Sequence, residues 1–224
     1  MKSKISFFNK TLFLKNVTLY WPLWGIYTLI LLITLPINLW FTYNNSYTVF
    51  TKSEKLVLLG HSLNVSGYTI VIVGMAAVTG VLVFGYLYNS RNANMIHALP
   101  VDRTQLFGTN VLCGLAFMIV PQVITFVITV FICLSEGVTA IEYLGIWLLL
   151  MMATSFVAFA VVTVCAFFTG NAFGYLMYLA VLNFFSTIVS SVIQVVVNIF
   201  GYGMSYGNVI PQSIVNWFSP LLSF

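Results

Sequence analysis

Long apolar runs separated by short polar segments dominate this chain. Residues 21–43, 66–88, 106–134, 142–168 and 173–200 each consist mainly of apolar side chains. A hydrocarbon core roughly 30 Å thick needs about 20 apolar residues per helix, and each run has that length. The pattern predicts an all-α fold, a polytopic helical membrane bundle of about five transmembrane helices. A lipid-embedded β-barrel would show short segments of alternating apolar and polar residues, and the sequence lacks that alternation.

The segments outside these runs have their own character. Residues 1–20 mix apolar positions with lysines, which predicts a cytoplasmic interfacial helix in the plane of the lipid headgroups. They contain no compact apolar core with a cleavage site, so we expect the first span to be retained. Residues 44–65 are predicted to form a polar loop. Residues 201–224 are predicted to form an amphipathic C-terminal tail that is external or re-entrant.

Composition and charge narrow the class of protein. The chain is 61% hydrophobic and 5% charged, whereas soluble domains are about 25% charged, so it cannot cover itself with a wettable surface. Its eight basic residues are too few and too scattered to bind nucleic acid. Most of them flank the first span on its N-terminal side or follow the second, which predicts a cytoplasmic N-terminus. Lys52 and Lys55, on the opposite side, are partly offset by Glu54.

The sequence indicates no catalytic residue, no metal site and no cofactor in this chain. Its two histidines and four acidic residues are far apart, and the three cysteines lie in apolar runs as buried, unreactive thiols. Residues 203–207 match G-x-S-x-G, but the strand and helix that a serine nucleophile requires are missing, so we interpret them as a glycine-rich loop. We therefore do not expect an enzyme.

The spans hold polar residues but no central charge. Gln122, Asn183, Gln194 and Asn198 face either a substrate path or, as we favour, neighbouring helices through hydrogen bonds. A secondary transporter or proton-coupled pump would ordinarily place acids or histidines at mid-membrane. Their absence from the middle of the spans argues for energy supplied from outside the chain.

Residues 89–105, between the second and third spans, are the strongest candidate site. Residues 90–99 have helical spacing, with Met95 and Leu99 on one stripe, and Pro100 must end that helix. Asp102 is predicted to cap the next helix, with Gln105 completing a capping box. A short helix held between two spans is a lever, because a soluble partner that grips it moves both spans. The predicted partner-binding residues are Arg91, Asn94, Met95, Ile96, His97, Leu99 and Arg103.

The same residues also carry a resemblance to a known family. From residue 90 to residue 103 the chain reads S-R-N-A-N-M-I-H-A-L-P-V-D-R. It resembles the loop S-R-x-x-x-x-x-H-x-L-P-[IV]-x-R of bacterial type-2 ATP-binding-cassette (ABC) exporter permeases. In that family an interfacial helix precedes six spans, and this loop is a coupling helix that docks on the ATPase subunit. The resemblance extends over most of the chain, although the family's sixth span is missing, which leads us to expect a shortened product, a fragment or a divergent member.

The resemblance implies a permease subunit in the bacterial cytoplasmic membrane that moves an amphipathic, peptide, lipid-like or drug-like substrate. It implies a second permease copy or homologue as a partner, besides membrane lipid, and cytoplasmic ABC ATPase subunits that bind ATP and Mg²⁺. No phosphate-binding loop occurs in this chain, so ATP hydrolysis is expected in those partners. The alternative is a non-transporting sensor or assembly subunit that uses residues 89–105 to bind a cytoplasmic protein. In the simplest alternative, Arg91 and Arg103 are only positive-inside anchors and His97 is a solvated side chain.

Overall fold

The computed structural model describes residues 9–44, 50–88 and 103–200, and predictions that fall on other residues lie outside this description. All regular secondary structure in the described ranges is helical, which confirms the all-α prediction. The helices are α1 (Lys10–Leu19), α2 (Trp21–Leu32), α3 (Asn38–Tyr43), α4 (Lys52–Ser62), α5 (Val65–Val83), α6 (Gly85–Tyr88), α7 (Arg103–Ser135), α8 (Ile141–Phe168) and α9 (Ala172–Phe200).

Four helical runs in the described part of the chain are long and apolar enough to cross a membrane: Trp21–Tyr43, Lys52–Val83, Arg103–Ser135 and Ile141–Phe168. The fifth predicted span, residues 173–200, coincides with α9, a helix of 29 residues. Large apolar side chains cover the outside of the bundle; Phe131 and Leu149, for example, are each 68% exposed. Such a surface is stable against lipid rather than water, so the chain is a membrane protein.

The first span contains a proline, Pro36, in its interior. A single turn of π-helix, Ile33–Ile37, joins α2 to α3 and contains Pro36. Proline lacks an N–H group, and its ring clashes with the carbonyl group four residues earlier in an α-helix. The wider π-turn accommodates both effects. The span therefore remains one helical run through Pro36.

The segment after the first span differs from the prediction. Residues 44–65 were expected to form a polar loop, but they contain the eleven-residue helix α4. The Thr51 N–H donates to Glu54 Oε2 over 2.8 Å, and the Thr51 hydroxyl donates to the same oxygen over 2.9 Å. Threonine followed three residues later by glutamate is a helix-start signature, which the high polarity of the segment obscured.

The bundle is assembled around α5, which packs most extensively against α8 and also contacts α7 and α9. The α5 and α8 helices run in the same direction, since Tyr68 contacts Trp147 near one end and Phe84 contacts Phe159 near the other. Gly80 permits the close approach, because a Cβ atom there would overlap Val162 and the Tyr175 hydroxyl. Gly74 of the same helix and Gly85 of α6 face no such neighbour, since a Cβ at either meets nothing within 4 Å.

Gly80→Ala should destabilise the bundle by about 1–3 kcal/mol, the usual cost of overpacking, because the new methyl group meets Val162 and Tyr175. Gly74→Ala, in the same helix, is the matched control and should be neutral or slightly stabilising, since alanine is the better helix former. Unfolding by dodecyl sulfate in mixed micelles measures both. Equal effects of the two substitutions would show that α5 does not pack in this orientation.

Candidate partner-docking face

The end of the bundle at which α5 and α6 finish and α7 begins is here called the Arg103 end. Arg103 is the first residue of α7 and is exposed. It is the only predicted partner-binding residue in the described ranges. The others, Arg91, Asn94, Met95, Ile96, His97 and Leu99, lie outside the described residues, as do the predicted cap Asp102 and the G-x-S-x-G segment. The described part of the site is therefore its base, formed by the elements that flank residues 89–102.

The N-terminal helix α1 is bonded to the first turns of α7 at this end. The Asn9 N–H donates to Thr109 Oγ1 over 3.0 Å, and Asn16 Nδ2 donates to Asn110 Oδ1 over 2.9 Å. Thr109 and Asn110 are buried. The Asn9 side chain also caps α1 by accepting from the N–H groups of Thr11 and Leu12. Two hydrogen bonds thus fix α1 in register with α7.

A third contact ties α1 to the other flanking span. Tyr20, the residue that ends α1, donates its hydroxyl to the Leu82 carbonyl group in α5 over 3.0 Å. Its ring meets Phe117 of α7 edge-on, with centroids 6.3 Å apart. The helix before residue 89 and the helix after residue 102 are therefore joined through α1. A force applied to one reaches the other without passing through the connecting segment.

Aromatic ring contacts also join the helices at the Arg103 end. Phe107, in the first turns of α7, contacts Phe167 of α8 at 5.4 Å, and Phe84, between α5 and α6, contacts Phe167 at 5.7 Å. Tyr88, the last residue of α6, lies 6.1 Å from Tyr175 of α9. The Tyr175 hydroxyl donates to the Ala77 carbonyl group over 3.1 Å. These ring contacts pack α6 and the first turns of α7 against α8 and α9.

The outward face of α1 is a continuous stripe that the bundle leaves exposed. Its members recur at the spacing of one helix face: Lys10, Thr11, Leu14, Lys15, Thr18 and Leu19. Basic and apolar side chains combined on one face are typical of a helix at the boundary between lipid headgroups and water. The inward face of α1 packs on α7.

A second polar cluster lies inside the bundle, among three spans. Gln122 of α7 is fully buried, and its Nε2 donates to the hydroxyl oxygens of Tyr27 over 3.2 Å and Ser155 over 2.5 Å. These bonds join α2, α7 and α8, as expected for the interhelical interpretation of Gln122. The side chains of Asn183, Gln194 and Asn198 lie outside the description. In the described ranges Gln122 therefore forms part of the packing of the bundle.

The opposite end, here called the Glu136 end, is held by an ion pair. Lys55 Nζ of α4 lies 2.6 Å from Glu136 Oε2 in the loop between α7 and α8. The same ammonium group lies 5.4 Å from the centroid of the Tyr43 ring, and the Tyr43 hydroxyl donates to the Lys55 carbonyl group over 2.9 Å. The charge of Lys55 is thus balanced mainly by Glu136, whereas Glu54, the partner suggested by the sequence, caps α4.

Sequence reasoning identified the segment 89–105 but missed the residues that support it. Asn16 and Asn110 are the clearest omissions. Each is an amide side chain in a mainly apolar stretch, and that signal marks a side chain in need of a hydrogen-bond partner. It does not specify the partner, which lies 94 residues away in this case.

Comparisons with protein families, curated proteins and solved structures give no match to this chain.

Asn16→Ala and Asn110→Ala should each lower bundle stability, and the double variant should cost less than the sum of the two. We expect a coupling energy of about 0.5–1.5 kcal/mol, the range measured for hydrogen bonds between membrane helices. Unfolding of the parent protein, the two single variants and the double variant by dodecyl sulfate gives this coupling energy. Thr18→Ala is the control, because the exposed Thr18 hydroxyl donates to the Leu14 and Lys15 carbonyl groups of α1 itself. A coupling energy of zero would contradict the docking of α1 on α7.

Proposed function

We propose that this chain is the membrane-spanning subunit of an ATP-driven ABC exporter and that it receives force through residues 89–105. The observation that carries the proposal is the base at the Arg103 end. There α5 and α7, which bracket the segment resembling a coupling helix, are tied together by α1. A partner that pulls on the segment acts on a joined unit of two spans.

The polar groups inside the bundle favour an external energy source. The buried polar side chains among the described residues are neutral: Thr69, Thr79, Thr109, Asn110, Gln122, Thr125, Thr129, Thr154 and Ser155. Ion-coupled transporters ordinarily use intramembrane acids or histidines, because such groups can bind and release the coupling ion. A bundle with this interior suits a permease driven by separate ATPase subunits that bind ATP and Mg²⁺.

The proposed mechanism follows from this geometry. Two cytoplasmic ATPases grip residues 89–105 of two permease copies, or of this chain and a homologue. Their closure on ATP moves α5 and α7 together, with α1 sliding along the headgroup plane. The movement opens a path for an amphipathic, peptide, lipid-like or drug-like substrate across the bacterial cytoplasmic membrane.

Met95→Asp and Leu99→Asp should abolish binding to the proposed cytoplasmic ABC ATPase, because a charge replaces an apolar docking residue. Co-elution of the purified pair in detergent measures binding. Ala93→Asp, which helical spacing places off the Met95 and Leu99 stripe, is the matched control and should retain the complex. An unaffected complex, or none with the parent protein, would contradict the exporter proposal. Co-elution with a sensor kinase or an assembly protein would favour the alternative function.

The proposal also places the Arg103 end in the cytoplasm. A membrane-impermeant maleimide should label Ser53→Cys, an exposed position at the Glu136 end, in intact cells. Thr11→Cys, an exposed position on α1, should be labelled only after permeabilisation. The native Cys113, Cys133 and Cys165 are buried and give a low background. The reverse labelling pattern would contradict the proposed orientation.

A further inference from the structure

The outward face of α1 carries exposed positive charge at the Arg103 end. Lys10 and Lys15 lie on this face and are exposed, and Arg103 is exposed at the start of α7. Among the residues that the structure describes, none of the three has a carboxylate within 4 Å. The acidic side chains in those ranges all lie at the opposite end: Glu54, Glu136 and Glu142. The described part of the Arg103 end therefore carries a positive charge that no described acidic residue balances.

The position of α1 in the chain holds that charge at the membrane surface. Tyr20 is the only residue between the end of α1 and Trp21, where the first span begins. Neighbouring Cα atoms are about 3.8 Å apart, so α1 ends where the chain enters the lipid. Hydrogen bonds from Asn9, Asn16 and Tyr20 to α5 and α7 fix the helix beside the bundle. The free face of a helix held in this way meets lipid headgroups.

Apolar side chains next to the lysines favour lipid over a soluble partner. Leu14 is 50% exposed, Leu19 is 59% exposed and Trp21, at the start of the span, is 63% exposed. Each leucine lies four residues after a lysine, Lys10 or Lys15, and is therefore its neighbour on the helix surface. A lysine can lay its aliphatic stem along such apolar surface and extend its ammonium group to the phosphate level. An acidic soluble protein would match the lysines but not these apolar neighbours.

We propose that the outward face of α1 binds anionic phospholipids through Lys10 and Lys15, and that this binding stabilises the docking of α1 on α7. A basic side chain at an anionic membrane surface contributes roughly fivefold to the affinity. A ligand that binds only the folded protein stabilises it by mass action. Because α1 is bonded to both α5 and α7, the charge of the membrane then affects the stability of the whole Arg103 end. The inference rests on the contacts of α1 and does not depend on the proposed exporter function.

Thermal unfolding in mixed micelles measures this binding. The full chain in dodecyl maltoside is titrated with phosphatidylglycerol and, separately, with a phosphatidylcholine that has the same acyl chains and no net charge. We expect phosphatidylglycerol to raise the unfolding midpoint saturably and by more than phosphatidylcholine does. The difference between the two lipids should disappear at 1 M salt, where the Debye length is about 3 Å. Amide hydrogen exchange in α1 should be slower with phosphatidylglycerol than with phosphatidylcholine.

Variants that remove charge locate the bound lipid. The double variant Lys10→Gln, Lys15→Gln should weaken the apparent affinity for phosphatidylglycerol about 25-fold, roughly fivefold for each lysine. Lys52→Gln is the matched control and should bind as the parent does, because Lys52 is an exposed lysine of α4 at the Glu136 end. The double variant Lys10→Arg, Lys15→Arg keeps both charges and should keep the affinity. The unfolding midpoints in phosphatidylcholine show that each variant folds.

Several results would overturn the inference. An affinity for phosphatidylglycerol that the glutamine double variant retains would mean that the lipid binds elsewhere and that the lysines serve another partner. Equal losses in that variant and in Lys52→Gln would mean that the lipid responds only to net charge. A shift that soluble glycerol phosphate reproduces at the same concentration would mean that α1 binds free phosphate groups rather than a membrane. Exchange in α1 that is the same with both lipids would show that lipid charge does not affect its docking.

Discussion

Hydrocarbon offers no hydrogen-bond partner, and this constraint determines the structure from the backbone to the side chains. A backbone in lipid must satisfy its own polar groups, so the spans are helices. The same demand applies to polar side chains. Threonines in the spans bond to carbonyl groups one turn back, as Thr125 does to Pro121 and Thr129 to Thr125. The Gln122 amide nitrogen donates to Tyr27 and Ser155 and so joins α7 to α2 and α8. Polar side chains that find no hydrogen-bond partner in lipid thus form bonds between helices.

The two ends of the bundle use different chemistry. The Glu136 end includes a partly buried ion pair beside an aromatic ring, in addition to the hydrogen bond from the Tyr43 hydroxyl to the Lys55 carbonyl group and the contact between Tyr68 and Trp147. The Arg103 end uses neutral hydrogen bonds, two of them made by the buried Thr109 and Asn110, together with ring contacts. These contacts join α1, α5 and α7 at this end of the bundle.

Hydropathy predicts the spans well because burial in lipid acts on whole segments, but it cannot say which neighbour each face meets. Gly74 and Gly80 illustrate the limit: they lie in one helix, yet only Gly80 faces a packed neighbour. The Asn16–Asn110 bond joins residues 94 apart, and sequence spacing specifies a face but not a partner. The helix α4 was missed for another reason, since its first residues are charged and its capping box is a local signal that average polarity conceals. The candidate site was predicted from the motif at residues 90–103 and from Pro100. Its base, formed by α1, α5 and α7, depends on tertiary contacts that the sequence does not specify.

The docking of α1 on α7 is the claim on which the account of the Arg103 end depends, and amide hydrogen exchange tests it most directly. A ten-residue helix is marginal by itself, because helices shorter than about 12–15 residues rarely form in water. If α1 is bonded to α7, its amides should exchange over minutes to hours in lipid nanodiscs. Asn110→Leu should shorten these exchange times at least tenfold. Exchange of the α1 amides within seconds in the parent protein would contradict the docking of α1 on α7. Slow exchange that Asn110→Leu leaves unchanged would also contradict it, because lipid contact alone would then protect α1.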